Sequence, residues 1–375
     1  MSQSDIQKNR VMACQLARRT SDDFSETYGD SSLDSIAPFE SDEIILGRRV
    51  GSGAFAGVYQ IKDFNLRLRA NESKKILGVS NGGSYTGEQM QKREAAAKSV
   101  QNGVKYVMKS LKDQLEDSEE KDLFLDSAQD IVNEAEMLAA FSHPYIIELH
   151  GIIASRHESF AEGPSAFFII LERLDCTLED KIEEWKKQNS FNPSSSLKAL
   201  RGSITASMVL DKDKGEKSAA GGGGSLDKRL RMASSLAGAM KYLHEKDVIF
   251  HDLKPENVGL DKRGNVKLFD FGLAKFMPQH GDSYKDVYEM SGAGTPRFSS
   301  PEVFFEKPYN LKADVYSFGV VLWEIMCLKK PFAKCKHRKE FEKALKRVDK
   351  VLAINRKWPR SIQDPIRRSL SGDHA

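Results

Sequence analysis

Cysteine is scarce in this chain. The four present, Cys14, Cys176, Cys327 and Cys335, have none of the spacing of a disulfide framework, which points to a reducing intracellular compartment, the cytoplasm first, with the nucleus left open. Long apolar runs are also missing. The longest, Val315–Leu328, contains Glu324 and is too short to cross a bilayer, and no signal peptide opens the chain. Net charge is small: 57 Lys and Arg against 54 Asp and Glu leave +3, too little to argue for a nucleic-acid partner. The charge is uneven, with an acidic, Ser-rich stretch at 21–43 and a basic one at 329–368. The basic stretch reads either as a docking surface for an acidic partner or, more plainly, as a solvated helix face. At 375 residues there is room for one two-lobed domain or two ordinary ones.

Chemistry concentrates in Val248–Leu260, which reads VIFHDLKPENVGL. Asp252, Lys254 and Asn257 share a loop stiffened by Pro255, and an acid, a base and an amide together suit a hydroxyl, a phosphate and a divalent cation. Taken alone, Asp-Leu-Lys-Pro-Glu-Asn is also a plausible surface turn. The next segment decides between them. Thirteen residues after Asn257 comes Asp270-Phe271-Gly272, led in by the strand-like Asn265–Phe269. A catalytic loop followed by D-F-G in this order resembles the eukaryotic protein kinase family. The resemblance implies an α+β, two-lobed fold: a small antiparallel β-sheet lobe carrying one helix, the family's helix C, and a larger, mainly helical lobe.

In chain order, residues 1–42 show no helical or strand period and read as a disordered arm; 43–172 read as the N-lobe and 173–375 as the C-lobe. Strand-like Ile44–Leu46 leads into GSGAFAGVY, where Gly51, Gly53 and Val58 fit the glycine-rich pattern and Ala56 replaces its third glycine. A second strand, Val58–Ile61, follows this turn, so it is a hairpin rather than the strand-to-helix turn of a dinucleotide fold. Residues 63–103 are polar and read as an exposed insertion with a short helix over Thr86–Lys98. Lys109 follows on a strand. Leu125, Ala128, Ile131, Ala135 and Leu138 then form a helical stripe on which Glu134 falls. A carboxylate on an inward face requires a cation, and Lys109 is the candidate.

The strand Ala166–Glu172 leads to a connector at Arg173–Cys176, which resembles the hinge of the family, with Leu171 as gatekeeper and Glu172 and Leu174 beside the adenine. Thr177–Asp180 reads as a capping box, residues 188–225 as a second polar insertion ending in a glycine linker, and Leu226–His244 as a helix with a plain core face.

The resemblance implies these roles: Lys109 holds the nucleotide phosphates and pairs with Glu134, Asp252 orients the substrate hydroxyl, Lys254 neutralises the transferring phosphoryl group, and Asn257 and Asp270 hold Mg²⁺. Gly51, Gly53, Val58, Glu172 and Leu174 complete the ATP site. Lys-Pro-Glu-Asn and Thr295 resemble serine/threonine kinases, and Lys312–Glu324 resembles the family's helix F, closest to the tyrosine-kinase-like group, with Asp314 anchoring the catalytic loop. Phe250 and His251 stand where the family has His and Arg. His251 is expected to be a weaker, pH-dependent clamp on a phosphorylated activation segment, which contains Ser283, Tyr284, Tyr288, Ser291 and Thr295. Compared with the family the C-lobe looks truncated after Leu370, so Glu302 of Ser300-Pro301-Glu302 is left to find a partner in Arg367 or Arg368. The expected function is ATP- and Mg²⁺-dependent phosphorylation of Ser/Thr hydroxyls on proteins; the alternative is a catalytically weak or inactive kinase-fold binding module. Oligomeric state is open.

Overall fold

Phe168–Leu171 is an uninterrupted apolar run of the kind a strand shows when both its faces are covered, and that is how it is used. The computed structural model describes residues 3–29, 32–66, 85–116, 121–191, 226–278, 282–290 and 294–371. Two compact units result: Met1–Ser142, Ile146–Arg173 and Asp270–Gly272 form the first, and His143–Tyr145, Leu174–Phe269 and Leu273–Ala375 the second.

The first unit is built from helix α1 (Gln3–Tyr28), strands β1 (Pro38–Phe39), β2 (Ile44–Ser52) and β3 (Ala56–Phe64), helix α2 (Gly87–Gln101), β4 (Tyr106–Leu111), helix α3 (Lys121–Ala140), β5 (Leu149–Ile153) and β6 (Phe168–Glu172). One six-stranded sheet runs β1-β5-β6-β4-β3-β2. Its central strands β4 and β6 are almost wholly buried, whereas edge strand β2 exposes Arg48 and Arg49, charges that discourage further strand pairing. All pairings are antiparallel except β1 with β5.

Two expectations need correction here. The described residues of the 1–42 stretch, 3–29 and 32–42, are not a disordered arm: α1 packs along α3, and β1 adds a parallel edge strand to the sheet. The larger apolar residues Val11 and Met12 stay exposed while Ala13 and Ala17 are fully buried, so close helix approach rather than an apolar stripe holds α1. The first insertion does contain the expected helix, capped reciprocally by Thr86 and Gln89, but it is docked rather than exposed. Arg93 is buried, donates to Pro38 O at 2.6 Å and to Glu43 Oε1 at 2.5 Å, and lies over the rings of Tyr85 and Phe39. Residues 67–84 of this insertion and 192–225 of the second lie outside the described residues.

The second unit has β7 (Cys176–Thr177), α4 (Leu178–Phe191), α5 (Leu226–His244), β8 (Val248–Ile249), β9 (Val258–Leu260), β10 (Val266–Leu268), β11 (Lys275–Phe276), α6 (Lys312–Cys327), α7 (Arg338–Leu345) and α8 (Arg360–Leu370). Thr177 and Asp180 cap α4 reciprocally, as their spacing predicts. Helix α6 is buried nearly all round and is the core of this unit. Helix α8 crosses it at Gly319, where a Cβ would fall 2.5 Å from that of Ser369, so only glycine permits the approach. Arg367 bonds Gln363 at 2.7 Å within α8 and stands 3.8 Å from Asp364. The core face of α5 is Leu226, Ala233, Leu236, Ala239, Met240 and Leu243, while Leu230 and Ala237 are only half-buried. Among the described residues no helix is long and apolar enough to cross a membrane.

Candidate active site

In the first unit, β4 carries Lys109 between Val58 on one neighbouring strand and Ile169 on the other. Its ammonium lies 2.5 Å from Glu134 Oε2 and 2.8 Å from Asp270 Oδ1. Burial pulls against the Lys109 charge, but the carboxylates of Asp270 and Glu134 outweigh it and hold the amine above its ordinary pKa. Burial pushes Glu134 up to about 7, only partly offset by Lys109, and Glu134 Oε1 has no hydrogen-bond partner among the described residues. Asp270 has φ +69°, a left-handed conformation that a non-glycine residue adopts only when its surroundings hold it. They do: Asn133, beside Glu134 on α3, donates to Phe271 O at 3.2 Å and Gly272 O at 2.9 Å, and the Phe271 ring is buried 6.0 Å from that of Phe141. No sequence signal singled out Asn133.

The glycine-rich turn is a hairpin, with Gly51 opposite Val58 and Ser52 opposite Gly57. It closes by Gly53 N–H to Ala56 O at 3.0 Å. Gly51, Gly53, Ala56 and Gly57 all lie outside the positive-φ region, so the methyl of Ala56 is tolerated where the family pattern has glycine. Lys112, which the sequence reading passed over, holds the tip: its ammonium donates to Gly53 O at 2.6 Å and Ala54 O at 3.0 Å. Glu172, at the end of β6, accepts from Glu148 N–H at 3.2 Å.

In the second unit the Asp252 carboxylate accepts four bonds. Oδ1 takes Thr295 N–H at 2.9 Å and Thr295 Oγ1–H at 2.8 Å; Oδ2 takes Lys254 Nζ at 2.5 Å and Asn257 Nδ2 at 3.0 Å. Lys254 also donates to Thr295 Oγ1 at 2.9 Å, so Thr295 bridges acid and base as the resemblance implies. Gly294 leads into this bridge with φ +101°, and a Cβ there would fall 2.5 Å from His251 O. Leu174 seats against Gly259 on β9, where any side chain would collide with it.

Beneath the loop, buried Asp314 of α6 accepts Phe250 N–H at 2.7 Å, His251 N–H at 3.0 Å and His244 Nε2–H at 3.1 Å. His244 was missed by a reading that gave α5 a face without chemistry. With Nε2 donating to a carboxylate, its Nδ1 is left to accept from Tyr284 Oη, 2.8 Å away.

His251 is not the phosphate clamp its position suggests. Its Nδ1 lies 2.9 Å from Leu273 O, which only accepts, so Nδ1 carries the proton and Nε2 accepts from Tyr309 Oη at 2.9 Å. Both ring nitrogens are committed, and burial lowers the pKa, favouring the neutral ring. Of the activation-segment hydroxyls, Ser283 donates to Asp247 at 2.6 Å. Tyr288 forms an antiparallel bridge with Tyr309. Ser291 lies outside the described residues.

These groups fit the ligands the motifs call for. Within the first unit Lys109 and a glycine hairpin suit phosphate, and Asp270, 45% exposed, offers a hard oxygen donor of the kind Mg²⁺ takes; within the second unit the Asn257 side-chain oxygen is a donor of the same kind. The chain is 28% identical over 304 residues to cAMP-dependent protein kinase type 3 of Saccharomyces cerevisiae, covering 78% of this chain and 59% of that protein. It is 42% identical over 117 residues to dual specificity protein kinase shkC of Dictyostelium discoideum, covering 31% of this chain and 22% of that protein. With serine/threonine-protein kinase CTR1 of Arabidopsis thaliana it shares 43% over 107 residues, 28% of this chain and 12% of the relative. The chain thus spans less than two thirds of the length of each. Residues 94–372 match the protein kinase domain, a span that begins after the glycine hairpin, and with its β-sheet unit and helical unit the chain belongs to the protein kinase family.

Proposed function

We propose that the chain transfers the γ-phosphoryl group of ATP, with Mg²⁺, to Ser and Thr hydroxyls of protein substrates. The observation that carries this reading is the Asp252 carboxylate, fixed by four hydrogen bonds from Thr295, Lys254 and Asn257. Phosphoryl transfer asks for positioning and charge neutralisation more than covalent help. Asp252 accepts the hydroxyl proton and aims the nucleophile, while Lys254 compensates charge on the phosphoryl oxygens. Lys109, locked by Glu134, holds the α- and β-phosphates, with the hairpin of Gly51, Gly53 and Val58 covering them and Glu172 and Leu174 taking the adenine edge. Asp270 and Asn257 hold Mg²⁺, which when bound neutralises charge on the phosphates. Selectivity for Ser/Thr rests on Lys254 and its bridge to Thr295. The first unit takes the role of the N-lobe and the second that of the C-lobe, and four free thiols suit a reducing intracellular setting.

The test is phosphate transfer from ATP and Mg²⁺ to generic protein substrates by the wild type and Asp252→Asn, with thermal melting followed in parallel. Transfer by the wild type alone supports the reading. If neither protein transfers and ATP still raises the melting temperature, the chain is a nucleotide-binding module and the proposal fails.

A further inference from the structure

Helix α3 is buried on opposite sides. Glu134 and Glu136 stand two residues apart, about 200° around a helix, and both are at most 2% exposed. The Glu134 side meets Lys109; the Glu136 side is covered by α1. The α1 face is Ala13, Ala17, Ser21 and Phe24, a stripe of small residues ending in one large anchor. Polar bonds fix its register at both ends. Arg10 forks onto Glu116, at 2.6 and 2.9 Å, in the connection between β4 and α3. Eleven residues later Ser21 Oγ donates to Glu136 Oε1 at 2.5 Å and lies 2.8 Å from His157 Nε2. Arg18 pairs with Glu158 on the same turn as His157. A serine hydroxyl has one proton and two lone pairs, so with its proton given to Glu136 it accepts from His157 Nε2–H. One buried hydroxyl thus ties α1, α3 and the Arg156–Glu162 turn together.

We propose that α1 is a built-in clamp on α3, and that Ser21 is a positioning residue which, through Glu136, holds Glu134 against Lys109. The proposal rests on the reading of Lys109 and Glu134 as the nucleotide-phosphate holders. None of α1 falls within the span matching the protein kinase domain, which starts at residue 94. A helix covered on one side only would be free to roll and carry Glu134 away from Lys109. Covering the second side with a cross-braced helix removes that freedom without any partner protein.

The test uses the full chain. Ala17→Glu places a carboxylate in the α1–α3 seam, and Ser21→Ala removes only the bridging hydroxyl. Hydrogen exchange of the 121–140 amides, read without nucleotide, is expected to accelerate in both variants. The KM for ATP is expected to rise about tenfold in Ala17→Glu and less in Ser21→Ala, with the KM for a protein substrate unmoved. Ser21→Thr, which keeps a hydroxyl, restores both readouts toward wild type. If α1 amides lose protection while α3 amides and the KM for ATP stay at wild-type values, the clamp is wrong. Should Ala17→Glu fail to fold, Ser21→Ala and Ser21→Thr decide alone. Absence of ATP binding by the wild type would remove the proposed function, whereas the exchange of α3 would still decide the clamp.

Discussion

Asp314→Asn is nearly isosteric, so what it changes is charge and hydrogen-bond polarity. Asp314 is 1% exposed and accepts from three donors, Phe250 N–H, His251 N–H and His244 Nε2–H. An asparagine has one acceptor atom. If its oxygen faces Phe250 and His244, its NH₂ meets the His251 N–H, donor against donor; if it is flipped, two donors lose their partner. At least one charge-assisted bond, worth about 1.5–3 kcal/mol, is lost, and a buried N–H is left unpaired at about 1–3 kcal/mol more. The loss falls where the backbone is least able to absorb it, since His251 sits at φ +68°. The expected destabilisation is about 3–5 kcal/mol. For a cooperative unit of about 150–250 residues that lowers the melting temperature by about 6–20 °C. Circular dichroism of wild type and variant at one pH and salt concentration measures it. A variant melting within about 2 °C of wild type would refute the reasoning, because it would mean that the three bonds are replaced without cost.

Two further outcomes follow from buried groups in the second unit. Burial raises Glu324 from its ordinary 4.5 to about 7, so its neutral form favours the fold: the contribution is complete below about pH 4.5 and is lost as pH rises through about 7. Glu324→Gln is therefore expected to match wild type near pH 5 and to exceed it by up to about 3 kcal/mol at pH 8 in urea unfolding; equal pH dependence in the two proteins would contradict this. Tyr309→Phe removes the donor to His251 Nε2 and is expected to cost about 1–3 kcal/mol and reduce transfer, measured by melting and by phosphate incorporation, while phosphatase treatment leaves wild-type transfer unchanged. Loss of wild-type transfer on dephosphorylation would overturn the second expectation.

What could be read from the sequence and what could not divide by the range of the interaction. Asp252, Lys254, Asn257 and Thr295 sit in short segments whose internal spacing largely sets their geometry, and the structure brings all four together. Glu134 was legible because a carboxylate interrupts a helical stripe, and burial of a charge demands a partner. Arg93, Lys112 and Asn133 were not legible: each is an ordinary polar residue on a local element, and its partner is chosen by packing 50 or more residues away in sequence. The α1 helix was misread for a different reason. Its buried face is Ala, Ala, Ser and Phe, which adds little to any hydrophobic period, and its larger apolar residues Val11 and Met12 point to solvent. Periodicity detects area buried by large side chains, whereas here the area comes from close approach of two backbones.

The exchange of arginine for His251 is where sequence and structure together say more than either. Sequence alone made this residue a weakened clamp waiting for a phosphate. Geometry gives it two neutral partners, Leu273 O and Tyr309 Oη, and these fix its tautomer. Tyr309 in turn exchanges backbone hydrogen bonds of 2.9 and 3.1 Å with Tyr288 of the activation segment. Neighbouring Asn310 donates to Tyr284 O at 3.1 Å and Asp286 O at 3.2 Å. An arginine here would carry a permanent charge that burial penalises until an anion arrives. A neutral imidazole carries no such demand. His251 is therefore joined to the 284–288 stretch through Tyr309 and its neighbour Asn310, by bonds between neutral groups that need no added charge.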